Sequence, residues 1–179
     1  MEIKLEVPYY SQLDNITDYQ GAGWRQCNTS SHAMAIAYLK PDFLIQAQAL
    51  GYKQPDDYLG FLLHSSGFDT TDHVGMTKVM LDTLGTSSTW SYAIARDDIL
   101  SQLKKNKPVP MGLAWGNSGH IVCCVGCNDD GLLIHDPYGI RIGDTYDVGA
   151  DGSYDFYSWG LLESIYWDLG SEAGWGRIF

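Results

Sequence analysis

The chain has 179 residues, 45% hydrophobic and 13% aromatic, which supplies enough apolar side chain for a buried core and excludes a disordered protein. Against 11 basic residues stand 22 acidic ones, a formal charge of −11 with no long basic run, so a phosphate-neutralising nucleic-acid surface is excluded. The start Met1-Glu2-Ile3-Lys4-Leu5-Glu6-Val7 has neither a basic nor an apolar leader region, and no stretch approaches about 18 apolar residues. Neither a signal peptide nor a membrane span is expected, which implies synthesis in a cytoplasm.

The first informative element is Cys27-Asn28-Thr29-Ser30-Ser31-His32-Ala33-Met34-Ala35-Ile36-Ala37-Tyr38-Leu39, where cap-forming residues give way to apolar positions at helical spacing. Ala33, Ile36 and Ala37 are expected to face a core. Cys27 then sits at a helix mouth, where unpaired N–H groups stabilise a thiolate. A buried, inert cysteine is the bland alternative. Between Leu39 and Gly67 a helical region carries Phe43, Ile45, Leu50, Tyr58, Phe61 and Leu62. Thr70-Thr71-Asp72 caps a helix with Met76, Val79, Met80 and Leu84, closed by Gly85. Asp97 to Lys105 reads as another helix, acidic at its start, basic at its end and stopped before Pro108. Strands are expected to dominate from Val109 onward.

Gly119-His120-Ile121-Val122-Cys123-Cys124-Val125-Gly126-Cys127 and Leu132-Leu133-Ile134-His135-Asp136 flank the turn Asn128-Asp129-Asp130-Gly131, the pattern of a β-hairpin. A three-residue loop Asn128–Asp130 pairs Cys127 with Gly131 and sets Asp136 opposite Val122. His120 then lies diagonally from Asp136 on the same face, about 7–8 Å away at Cα. A loop of two or four residues would separate them. Cys27, His120 and Asp136 together make the set for thiol catalysis: a nucleophile, a base to take its proton, and a carboxylate to orient the base. His135 is the competing base but should point to the other face. His32 belongs to the helix after Cys27, and His64 and His73 lie in polar, turn-like stretches.

Cys123, Cys124 and Cys127 read as buried core thiols in a reducing compartment, because Cys124-x-x-Cys127 alone lacks the further ligands of a zinc site. Asp69, Asp72 and His73 could be taken for a metal cluster, but capping accounts for the carboxylates. No metal and no cofactor is expected. Trp159, Trp167 and Trp175 recur every eight residues and serve core or rim packing, or a groove. Trp24 and Trp115, close in sequence to Cys27 and His120, are the better subsite walls, with Asn28 as a further substrate contact.

Val7-Pro8-Tyr9-Tyr10-Ser11-Gln12 with Asp14-Asn15, Cys27 opening a helix, Val109-Pro110-Met111-Gly112 leading to Gly119-His120, and Asp136-Pro137-Tyr138-Gly139 follow one another in order. Gly67-Phe68-Asp69-Thr70-Thr71-Asp72 and the aromatic pairs Trp159-Gly160 and Gly174-Trp175 complete the set. The ordered set resembles the C39-like branch of papain-fold cysteine peptidases, and within it the phage-encoded, endolysin-type peptidoglycan hydrolases. The resemblance implies that Gln12 donates to the oxyanion of the tetrahedral intermediate, worth about 2.7–4 kcal/mol. Gln26 and Gln20, nearer to Cys27, compete for that part. A backbone N–H at the start of the Cys27 helix would be the second donor.

The expectation is therefore a single α+β domain over 1–179, with N-terminal helices packed on a C-terminal antiparallel sheet in a papain-like fold. Its activity would be hydrolysis of an amide bond in the peptide part of bacterial peptidoglycan, by a monomer released to the wall. Acting on a protein leader, transpeptidation, and a non-catalytic wall-binding module are the alternatives. The acidity of the chain means that an anionic wall polymer must be recognised through local pockets.

Overall fold

A helix rich in Ala, Ser and Thr lies between two hydrophobic cores. Every residue of α1 (Cys27–Leu39) from Asn28 to Ala37 is buried, so the helix has no solvent-facing stripe. Met34 and Ala35 enter a core shared with the sheet, while Ala33, Ile36 and Ala37 enter a second one with Phe43, Leu59, Met76 and Met80. Small side chains let layers approach from both sides. The buried hydroxyls are satisfied: Thr29 donates to the Gln26 carbonyl at 2.8 Å, Ser30 to Asp56 Oδ2 at 2.6 Å and Ser31 to the Ile121 carbonyl at 2.9 Å. The computed structural model describes residues 2–16, 23, 25–115 and 119–179.

The region between Leu39 and Gly67 resolves into two helices, α2 (Asp42–Ala49) and α3 (Pro55–Ser65), the second opened by Pro at its first position and by Asp56 and Asp57. Phe43, Tyr58 and Leu62 are buried there, whereas Ile45, Leu50 and Phe61 face solvent. In α4 (His73–Asp82), Asp72 accepts from the N–H groups of Val74 and Gly75, the cap that its sequence predicts. In α5 (Arg96–Lys104), Asp98 reaches back to the Ala95 N–H at 2.9 Å. Among the described residues no helix is long and apolar enough to cross a membrane.

The sheet is antiparallel throughout. Its strands are β2 (Thr89–Ile94), β3 (Val109–Leu113), β4 (His120–Cys127), β5 (Gly131–His135), β8 (Asp155–Ser158) and β9 (Gly174–Ile178), in the order β2-β9-β3-β4-β5-β8. β1 (Ile3–Lys4) pairs with the far end of β4. A separate ribbon, β6 (Ile140–Ile142) with β7 (Thr145–Asp147), follows β5. The sequence pattern misses β1 and β2, and it misses α6 (Trp159–Ile165), which interrupts the C-terminal strands and is capped by Ser158. α1 packs on β3 and β4, and all eight residues of β4 are buried, as befits an inner strand. Gly112 has no room for a side chain: a Cβ there would enter the Trp175 ring.

The β4–β5 hairpin departs from the expected register and then returns to it. Cys127 pairs with Leu132 and Gly126 with Leu133, so the loop is one residue longer than the three-residue loop read from the sequence. Asn128 Oδ1 takes up that turn, accepting from the N–H groups of Asp130 and Gly131. A bulge at Val125 then absorbs the extra residue, giving Cys124–Ile134 and Cys123–His135 pairs. Continued one step, that register sets Asp136 opposite Val122.

Candidate active site

Cys27 is the first residue of α1, directly after the capping position held by Gln26. It is half-buried, while Cys123, Cys124 and Cys127 are wholly buried. Burial pushes the Cys123 and Cys124 thiols up, Cys124 to about 12, and raises Cys127 as well. These three are the core thiols expected from the sequence.

His120 opens β4 and turns its ring toward Cys27. Its Nε2 donates to Asp136 Oδ1 at 2.7 Å, and Cys27 stands beside it in the lining of the same cleft. With Nε2 committed to Asp136, Nδ1 is the nitrogen left for the sulfur. Burial opposes a charge on this ring, but the Asp136 carboxylate and then Cys27 outweigh it, raising His120 to about 10. Three other imidazoles, buried His32 and His135 and half-buried His73, go the opposite way. Burial and the Arg177 charge push His32 far down, the same two causes take His73 to about 4, and burial takes His135 to about 4. His135 lies on the other face of β5, edge-on to the Tyr9 and Tyr154 rings, and is thereby excluded as partner of Cys27.

Asp136 is fully buried and its lone pairs are filled. Besides His120, Oδ1 accepts from the Tyr138 N–H at 2.9 Å, and Oδ2 accepts from the hydroxyls of Tyr157 at 2.9 Å and Tyr146 at 3.0 Å. Burial and the neighbouring carboxylate push both phenols up, which keeps them protonated donors. Its backbone is clasped as well: the Tyr9 hydroxyl donates to the Asp136 carbonyl, and the Asp136 N–H donates to the Gly152 carbonyl. The next carbonyl, of Pro137, accepts from the Gln12 N–H at 2.9 Å and from the Ser11 hydroxyl. The N-terminal Tyr9–Gln12 segment and the Asp136–Tyr138 turn are thus tied together, which is why both motifs bear on one site.

Gln12 lines a cleft of about 350 Å³ with Arg25, Cys27, Thr71, Trp115, Gly119, His120 and Tyr138. Its side-chain amide donates to the Gly23 carbonyl at 2.7 Å, while its Oε1 has no hydrogen-bond partner among the described residues. The rival Gln26 is engaged elsewhere, its Oε1 accepting from Asn15 Nδ2 at 2.6 Å. Gln20, the other rival, and Trp24, the other expected wall, lie outside the described residues. Trp115 stands edge-on to His120 with ring centres 5.6 Å apart and packs against Tyr138 and Tyr146. Asn28 lines a smaller recess on the same side of Cys27, together with Thr71, His73, Gly119, His120 and Trp175.

Tyr146 and Tyr157 are residues around Asp136 that the sequence does not single out, and His73 and Trp175, named there as a possible ligand and as packing or groove, line the recess beside Cys27. The two tyrosines arrive from β7 and β8, with nothing local to tie them to Asp136, and Trp175 is only one of three evenly spaced tryptophans. Asp69 and Asp72 are spent on their own turn, Asp69 accepting from the Thr71 N–H and hydroxyl. Among the described residues no group of three or more His, Cys, Asp or Glu side chains is placed to hold a metal.

A crystal structure of a C39-like peptidase from Bacillus anthracis is similar to this chain, with a TM-score of 0.55 at 11% identity over 100% of this chain and 98% of that one. At that identity the likeness concerns the fold, an α+β arrangement of the papain-like kind. No curated protein sequence matches the chain. The Peptidase_C39 like family model matches residues 4–160, a stretch that contains Gln12, Cys27, His120 and Asp136, and the chain belongs to that family and so to the cysteine peptidases.

Proposed function

We propose that the protein hydrolyses an amide bond in the peptide part of bacterial peptidoglycan, with Cys27 as nucleophile, His120 as proton carrier, Asp136 as the group that orients and charges His120, and Gln12 as an oxyanion donor. The observation that carries the chemistry is a single ring, His120, held between the Cys27 side chain and the Asp136 carboxylate and raised to about 10. The sulfur attacks the carbonyl carbon while the proton resides on His120. The oxyanion is received by the second amide proton of Gln12 and by a backbone N–H at the start of α1. His120 then gives its proton to the leaving nitrogen, the C–N bond breaks, and a thioester remains. Water attacks the thioester, its proton passing to His120, and the carboxylic acid leaves as the sulfur is regained.

The wall substrate is supported by the resemblance of the ordered motifs to those of endolysin-type hydrolases and by an open cleft walled with Trp115 and Tyr138. Digestion of purified sacculi followed by mass spectrometry tests it. New amine and carboxyl termini within the stem or cross-link peptides are expected. Intact sacculi, together with cleavage of a protein leader or formation of a new amide to an added amine, would give the enzyme a different substrate.

A further inference from the structure

The small recess beside Cys27 measures about 100 Å³, room for roughly three waters or a group of three to four heavy atoms. Three of its lining side chains, Asn28, Thr71 and His73, can accept a hydrogen bond. Asn28 is 1% exposed, and its Nδ2 donates to the Thr70 carbonyl at 2.7 Å. That bond fixes the amide, since a flipped amide would oppose two oxygens, and it leaves Oδ1 buried with no hydrogen-bond partner among the described residues. The Thr71 hydroxyl donates to Asp69 Oδ1 at 2.9 Å and keeps its lone pairs. His73 is clamped flat against Trp90, ring centres 3.7 Å apart, and edge-on to Trp175, and its Nδ1 is buried with no partner among the described residues. Burial and Arg177 keep that ring uncharged at neutral pH, so the tautomer with its proton on Nε2 can accept at Nδ1. A buried acceptor left unpaired is costly, so a ligand that supplies a donor is favoured over one that does not.

We infer that this recess is a substrate subsite, within two residues of the bond attacked by Cys27, that selects a short side chain ending in an O–H or N–H donor. The inference rests on the proposed thiol chemistry and deepens it. Asn28 is the specificity-determining residue, with Thr71 and His73 as the further acceptors and Trp175 as the apolar wall. A longer apolar side chain meets both a size limit and an unpaired Asn28.

The test is cleavage of a defined library of short peptides of L- and D-residues, products read by mass spectrometry, with iodoacetamide labelling of the same preparation. At one position within two residues of the cleaved bond, Ser, Thr and Asn are expected to be enriched about tenfold over Ala and Leu. Asn28→Leu keeps the volume and removes the acceptor, so the enrichment of donor-bearing side chains should vanish in that variant. Cleavage with no donor-bearing side chain enriched in the wild-type protein would overturn the subsite and leave the thiol chemistry standing. No cleavage of any peptide, with Cys27 no more reactive to iodoacetamide than the buried thiols, would overturn the proposed function and the subsite with it.

Discussion

The Nε2 of His120 lies 2.7 Å from Oδ1 of Asp136, with both side chains almost wholly out of solvent. A carboxylate this close in a low-dielectric setting holds the imidazolium against the cost of burial and, with Cys27, raises it to about 10. The ordinary imidazole value is about 6.5, so between the two the folded protein binds this proton more tightly than the unfolded chain. The stabilisation it brings is complete below about pH 6.5 and is lost as pH rises through about 10. Hydrolysis should likewise persist through neutral pH and fall as the ring loses its proton. Asp136→Asn removes the charge but keeps a group that orients the ring, so the alkaline limb should move down toward the ordinary imidazole range. His120→Ala removes the proton carrier and should cost about 10²–10⁴ in kcat/KM, more than Asp136→Asn. A pH profile of kcat/KM for the three proteins decides. An unmoved limb in Asp136→Asn would assign the titration to another group.

The far oxygen of Asp136 depends on two phenols. Tyr157 is buried and donates at 2.9 Å, so Tyr157→Phe leaves a buried carboxylate short of a donor and should cost about 1.5–3 kcal/mol of stability. Tyr146→Phe, at a half-buried ring, should cost less. Urea unfolding midpoints of the two variants measure both, and equal losses would mean that burial is not what sets the cost.

Asp56, which is not in the lining of the Cys27 cleft, offers a separate pH test. Burial, against a hydrogen bond from Ser30, raises this carboxyl to about 7. Between the ordinary carboxyl value of about 4 and about 7 the folded protein holds the proton and the unfolded chain does not, so stability from this group falls as pH rises through that window. Asp56→Asn keeps the shape and never ionises. It should raise Tm by several degrees at about pH 8 and by much less at about pH 5. A Tm gain of the same size at both would show that charge is not the cause.

The shared face of His120 and Asp136 was legible in the sequence, although the route to it was not. Alternation and the Asn-Asp turn point to the right face, but the loop is one residue longer than read, and by itself that would have sent Asp136 to the far side of the sheet. The bulge at Val125 restores it, and nothing in the apolar run Ile121–Val125 marks where a bulge falls. Helix starts with a side-chain mechanism, such as Asp72 before α4, read well. β1 and β2 did not, because pairing of distant segments carries little local signal. Tyr146 and Tyr157 stayed hidden for the same reason: their role comes from the packing of β7 and β8 around a turn, not from spacing.

Central to this account is a covalent step at one sulfur, and hydrolysis by Cys27→Ala measures it most directly. The thiol sits at a helix end and half-exposed, so truncation should leave the unfolding midpoint nearly unchanged. Wild-type protein and Cys27→Ala, compared at equal concentration on sacculi and on a cleaved peptide, are predicted to differ completely: product from the first, none above the uncatalysed background from the second. Product formed by folded Cys27→Ala at a rate near that of the wild type would contradict the account.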